Sequence, residues 1–200
     1  MISFAKSSFK SLLAATLFAC AFSQGAMAAE AAGVKFDDTA KIAGKELKLN
    51  GYGVRTKFFV KVYSAAMYLP EKKNNYADIA KLEGPRRITL VMLRDVSADD
   101  FGESFMKGLN GNTDKQEKSK LLNQTMQFGE MFALLPGVKK GDVLHLDWIP
   151  GVGTQCQLND KKIGEVMPDI AFYNAVLRIW LGDKPADSSL KPRLLGEEKK

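Results

Sequence analysis

The chain has 200 residues, 29 Lys and Arg against 23 Asp and Glu, and a formal charge of +6. Its basic residues are scattered among acids, apart from Lys199-Lys200 and short pairs in loops, which argues against the concentrated basic stripe of a nucleic-acid binder. One His, His145, and two Cys cannot make the usual zinc constellations, so neither a metal nor a cofactor is expected.

Residues 1–28 read as a cleavable export signal. Lys6 and Lys10 give a positive start, LLAATLFACAF (Leu12 to Phe22) an apolar run, and Ala26-Met27-Ala28 the small residues that a signal peptidase accepts. The run is well short of the ~20 residues that span a bilayer, and no later segment is long and apolar enough to do so. A buried helix, or a lipoprotein acylated at Cys20, are the alternatives; bulky Phe18 fits the second poorly. Cleavage after Ala28 removes two of the 29 basic residues and none of the 23 acidic ones, lowering the charge from +6 to +4. Residues 29–200 then form one domain, periplasmic or secreted, of a size that holds a real core and is expected to be monomeric. Only Cys156 remains, so no internal disulfide can form; in its strand-like run it reads as a small buried filler.

Val34 to Phe36 and Glu46 to Leu49 alternate as short strands, with a turn at Ala43-Gly44-Lys45 and another turn signal at Asn50-Gly51. Phe58 to Leu69 is rich in aromatic and β-branched residues and ends at Pro70, which suits a long central strand. Alternation puts Tyr63, Ala65 and Met67 on one face and Val62, Ala66 and Tyr68 on the other, so both faces must be covered, at least in part. Tyr76 to Leu82 is a short helix and Arg87 to Leu93 a strand. Ser97, followed by Asp99 and Asp100, caps a helix to about Leu109. A longer helix follows Gly111-Asn112-Thr113-Asp114 and ends before Pro136-Gly137. Val143 to Ile149, Thr154 to Leu158 and Lys162 to Val166 are strands joined by hairpin-like turns. A strong helix covers Ile170 to Leu181, capped by Gly182, and Asp187 to Leu195 a short one. This order gives an α+β domain, a mainly antiparallel sheet with helices on one face.

Little in the chain supports catalysis. There is no G-x-S-x-G elbow, no third glycine after Gly51-Tyr-Gly53 or Gly151-Val-Gly153, and Asp95, Asp99 and Asp100 are explained by capping. What remains is Arg55, Lys57, Lys61 and Tyr63 in an aromatic strand region. Either these cations simply extend into solvent at the sheet edge, or Arg55 and Tyr63 hold one anionic head group at the mouth of an apolar cavity. A guanidinium can grip a carboxylate with two parallel bonds and a phenol can add a third.

GYGVRTKFFVKVYSAAMYLP (51–70) resembles the signature of the chalcone isomerase-like family, in its exported bacterial branch. The turn Trp148-Ile-Pro-Gly-Val-Gly-Thr154, the run IAFYNAVLRIWLGDKPAD (170–187) and Leu190-Lys-Pro-Arg-Leu-Leu-Gly196 extend the resemblance across nearly all of the chain after residue 28. It implies an open-faced β-sandwich, a large antiparallel sheet under a layer of helices. The plant isomerases of this superfamily use an Arg, a strand Thr, a Tyr and an Asn on the following helix, and a Ser or Thr on the last helix. The fatty-acid-binding branch pairs the Arg with a strand Tyr, and the two hold a carboxylate. Here the Arg matches Arg55 and the strand residue Tyr63, while the helix positions fall on Phe101, Gly108 and Ile179. The resemblance therefore implies a non-catalytic binder of a fatty acid or similar amphiphile, with ligand-binding Arg55 and Tyr63 and no catalytic residue. The alternatives are an isomerase or intramolecular lyase acting on a phenolic or conjugated substrate, and a scaffold with no small ligand.

Overall fold

The computed structural model describes residues 29–197; the export signal expected over 1–28 lies outside them. Strands are β1 (Ala29–Ala31), β2 (Val34–Phe36), β3 (Thr39–Ile42), β4 (Lys45–Lys57), β5 (Val60–Leu69), β6 (Arg86–Met92), β7 (Val143–Ile149), β8 (Gly153–Leu158) and β9 (Lys161–Met167). Helices are α1 (Tyr76–Lys81), α2 (Ala98–Gly111), α3 (Lys115–Lys120), α4 (Leu122–Ala133), α5 (Ile170–Leu181) and α6 (Leu190–Leu194). β3 to β9 pair antiparallel in chain order as one seven-stranded sheet, and β1 and β2 form a separate hairpin. This is the α+β sheet-and-helix architecture expected from the sequence.

The period-two pattern sorts the two sheet faces. Ile88, Leu90 and Met92 of β6, Leu144 and Leu146 of β7 and Cys156 of β8 pack beneath the helices. Cys156 is buried there, which pushes its thiol pKa far up and leaves it an inert filler, as expected. On the other face the β1–β2 hairpin covers β4 and β5: Phe36, Leu47, Leu49, Ala66 and Tyr68 make a second, smaller core. Ser64 Oγ donates to the Ala31 carbonyl at 2.8 Å, and Tyr68 Oη to that of Asp37 at 3.1 Å. Beyond this cover the face turns polar. Arg87 grips Asp147 across β6 and β7 with two 2.6 Å bonds, and Thr89 meets His145 Nδ1 at 2.9 Å. β4 and the central strand β5 are thus covered on both sides, while β6 and β7 present a polar outer face.

Four sequence expectations are corrected. First, Phe58 to Leu69 is not one strand: Phe58 and Phe59 form a two-residue turn between the paired residues Lys57 and Val60. Their φ values are 49° and 66°, the doubly positive pattern of a type I′ hairpin, which favours Asn-Gly and disfavours bulky residues. Second, the turn signal Asn50-Gly51 lies inside β4. Asn50 is an extra residue in the pairing with β5, and its buried amide bonds the Lys73 carbonyl (2.9 Å), the Leu194 carbonyl (2.8 Å) and the Lys73 amide (2.7 Å). Gly51 is required because α6 crosses here: a Cβ would collide with the carbonyl oxygens of Arg193 and Leu194. Third, Val62 is an extra residue in β5, so it joins Tyr63 beneath the helices instead of facing Ala66 and Tyr68. Fourth, the helix after Asp114 is two helices, α3 and α4, which meet at Leu121. Gly182 ends α5 in an extended conformation, its space set by Asn112.

Asn50→Ala should cost about 2 kcal/mol of stability, because it strands two carbonyls and an amide in a largely buried place. Urea unfolding should show a lower midpoint with an unchanged slope. A midpoint equal to wild type would show that these bonds contribute nothing.

Candidate functional site

β4 and β5 place Arg55 and Tyr63 directly opposite one another in the antiparallel register. The Arg55 guanidinium stands over the Tyr63 ring, 5.5 Å from its centroid, a favourable cation–π distance. Tyr63 is 3% exposed, and its hydroxyl accepts a 2.8 Å hydrogen bond from Trp180 Nε1 of α5. Burial raises the phenol's pKa, and the Arg55 charge opposes this only in part. Tyr63 is therefore neutral at physiological pH and keeps its own O–H proton to donate. Among the described residues that proton has no acceptor, and the buried Arg55 Nε has no partner either.

Arg55 and Tyr63, the residues that carry these donors, both line one cavity of about 350 Å³, at the small end of the range usual for ligand pockets. Its apolar wall is built by Val60 and Val62 of the β5 end, Phe101 and Phe105 of α2, and Ile179 of α5. The extra residue at Val62 is what turns that side chain inward. Behind this wall Phe105 packs against Phe128, Phe132 and Trp180, with ring centroids 4.8–5.8 Å apart, so the floor is closed. The mouth is polar, with Lys57, Arg94, Asp95, Ser97, Asp100 and Ser104. Asp95 is held below its ordinary value, chiefly by the Lys140 amide at 2.8 Å, and is committed there.

One acid approaches the Arg55 end. Asp187 accepts from the Thr56 amide (2.8 Å), the Ser189 amide (2.8 Å) and the Ser189 hydroxyl (2.7 Å). Burial pushes its pKa up, but these bonds outweigh burial and hold the carboxylate charged. It anchors the end of β4 to the α5–α6 connection and makes no ion pair with Arg55. The other two cations singled out in the sequence behave differently: Lys57 and Lys61 are exposed.

The three positions where the resemblance places the isomerase's polar helix groups present none here. Phe101 and Ile179 line the cavity with carbon, and Gly108 lies against Ile179, where a Cβ would come within 2.8 Å of Cγ2. Trp180, which holds Tyr63 in place, escaped the sequence reading because it lies 117 residues away. The available signal was chemical: a buried indole N–H needs a partner. His145 lies on the opposite sheet face and has no part in the site. Among the described residues no cluster of His, Cys, Asp and Glu could hold a metal, and no helix is long and apolar enough to cross a membrane.

Comparison with known proteins adds three findings. In solved structures the chain is similar to the fatty-acid binding protein of Arabidopsis thaliana, with 14% identity and a TM-score of 0.64. The match covers 82% of this chain and 92% of that one, and at such low identity it speaks for the fold alone. No curated protein matches the sequence. The chalcone isomerase-like family model matches residues 28–196, almost the whole of the described structure. On that match, and with the sheet, helical layer and cavity just described, the chain belongs to the chalcone isomerase-like family.

Proposed function

We propose that this protein is a non-catalytic binder of a fatty acid or similar amphipathic carboxylate, working outside the cytoplasm. One observation carries the reading: Arg55 and Tyr63 face each other on the lining of one largely apolar cavity, and each carries a donor that no described protein atom accepts. A buried donor left unpaired is costly, and a carboxylate is the acceptor that fits a cation beside a neutral phenol. The fatty-acid-binding neighbour, whose fold this chain shares, favours the same ligand class.

An isomerase would need donors aimed at the charge that develops on its substrate's ketone. Phe101, Gly108 and Ile179 supply none, which favours binding over ring closure. The extracytoplasmic location rests on Lys6, Lys10 and Ala26-Met27-Ala28 in the sequence.

Arg55→Ala should weaken binding of C12 to C18 fatty acids by at least about tenfold, since a hydrogen bond to a charged group is worth ~1.5–3 kcal/mol. Arg55→Lys should rescue only in part, because an ammonium cannot make two parallel bonds to one carboxylate. Tyr63→Phe should cost less affinity but more stability, about 1–3 kcal/mol, because it orphans the buried Trp180 N–H. Calorimetry and thermal melts separate the two effects. Equal affinity in wild type and Arg55→Ala would place the head group elsewhere.

Chalcone ring closure should run at the buffer rate with the wild-type protein. A rate well above buffer that disappears in Arg55→Ala would overturn the non-catalytic reading. N-terminal sequencing of the cellular protein should begin at Ala29 or within a residue or two of it. Intact Met1 on most molecules would refute export, and an acylated Cys20 would make the protein a lipoprotein.

A further inference from the structure

The β4–β5 hairpin ends in an unusual tip. Phe58 is 85% exposed, Phe59 fully exposed at 101%, and Val60 44% exposed, all on one turn. Backbone geometry makes this choice of residues costly. Among the described residues, three other two-residue hairpins also have positive φ at both central positions, and they use Ala32-Gly33, Ala43-Gly44 and Asn159-Asp160. Each contains the Gly, Asn or Asp that this turn favours, whereas Phe58-Phe59 contains neither. Side chains kept where they strain the backbone and bury nothing serve something outside the fold.

The tip also stands clear of the sheet. β5 pairs with β6 only from Tyr63 onward, so Lys57, Val60 and Lys61 have strand partners only within the hairpin, which Asp187 ties down at the Thr56 amide behind them. No acidic residue occurs between Glu46 and Glu71, while Lys48, Arg55, Lys57 and Lys61 do. Lys57 Nζ lies 6.0 Å from the Phe58 ring centroid, putting charge beside apolar surface.

We propose that the Phe58-Phe59 tip inserts into the interface of an anionic lipid bilayer and seats the cavity mouth on it. Aromatic rings at the tip with lysines just behind them match the order of a bilayer surface, apolar below and anionic above. Protein interfaces, in contrast, are depleted in lysine, and a convex prong needs a ready-made groove to receive it. Lys57, Phe58 and Val60 also line the cavity, so docking here sets its entrance against lipid. The inference goes beyond the ligand reading and does not rest on it: the tip would dock whatever the cavity holds.

The test replaces the tip by the residues its geometry favours, F58N/F59G, in protein expressed from its full sequence. Vesicles of phosphatidylethanolamine with about a quarter phosphatidylglycerol are compared with pure phosphatidylcholine. Wild type should cosediment with the anionic vesicles, and the variant should partition at least about tenfold less, while melting at the same temperature or higher. Phe59→Trp should shift its emission to the blue when the anionic vesicles are added. Wild type that stays in the supernatant, or a variant that sediments equally, overturns the proposal. A variant that melts lower would show that the two phenylalanines serve the fold. Loss of a dimer in light scattering, without vesicle binding by wild type, would show that the tip meets a second copy instead. Calorimetry with free fatty acid uses no vesicles, so failure of either reading is seen without the other.

Discussion

The pairing of β4 with β5 is the constraint on which the site depends. It begins at a two-residue turn, and one extra residue at Val62 then resets the register so that Arg55 faces Tyr63. Without that extra residue the alternation would send Val62 to the face of Ala66 and Tyr68, and the cavity would lose part of its apolar wall. Trp180 completes the arrangement from the helical layer: its indole N–H occupies one lone pair of the Tyr63 oxygen and leaves the phenol proton free. The guanidinium and the phenol thus both stand on paired strands of one sheet, and the helical layer fixes the phenol through Trp180.

Two departures from ordinary folding rules meet at one cavity: the buried Arg55 Nε without a partner and the strained Phe58-Phe59 turn. Among the described residues, unpartnered buried polar atoms also occur at Arg86 Nε, Thr154 Oγ1 and Arg178 Nε, and a positive φ at Asp169, away from that cavity. Asn50 satisfies three backbone groups where α6 crosses β4, and Arg87 and Asp147 neutralise each other on the polar face. It is the meeting of two such exceptions at one cavity that points to function there.

Membership of a family fixes the scaffold and leaves the chemistry to particular side chains. Here the helical layer offers Phe101 and Ile179 to the cavity, and the close contact of Gly108 with Ile179 leaves no room for a larger group. On the strand side the cavity is lined by Arg55 and Tyr63. A cavity with donors at one end and carbon along its wall is suited to orienting an amphiphile.

The elements with the clearest patterns were legible from sequence. The alternating strands β6 to β9, the cap of α2 at Ser97 and the span of α5 all follow from local periodicity and capping chemistry. The same holds for Arg55 and Tyr63 as neighbours in an aromatic stretch, with help from the family resemblance. Tertiary structure decided the rest. Gly51 looked like a turn residue, but its lack of a side chain serves the passage of α6, distant in sequence. Phe58 and Phe59 looked like strand residues because their composition carries no turn signal; their positive φ is imposed by the pairing of Lys57 with Val60. Trp180 reached Tyr63 only when helix and sheet packed together. Sequence by itself determined where most strands and helices lie and most of the faces they bury, because those depend on near neighbours along the chain. Register, close approach and the closure of the cavity are contacts between distant segments, and they exist only once the layers have packed.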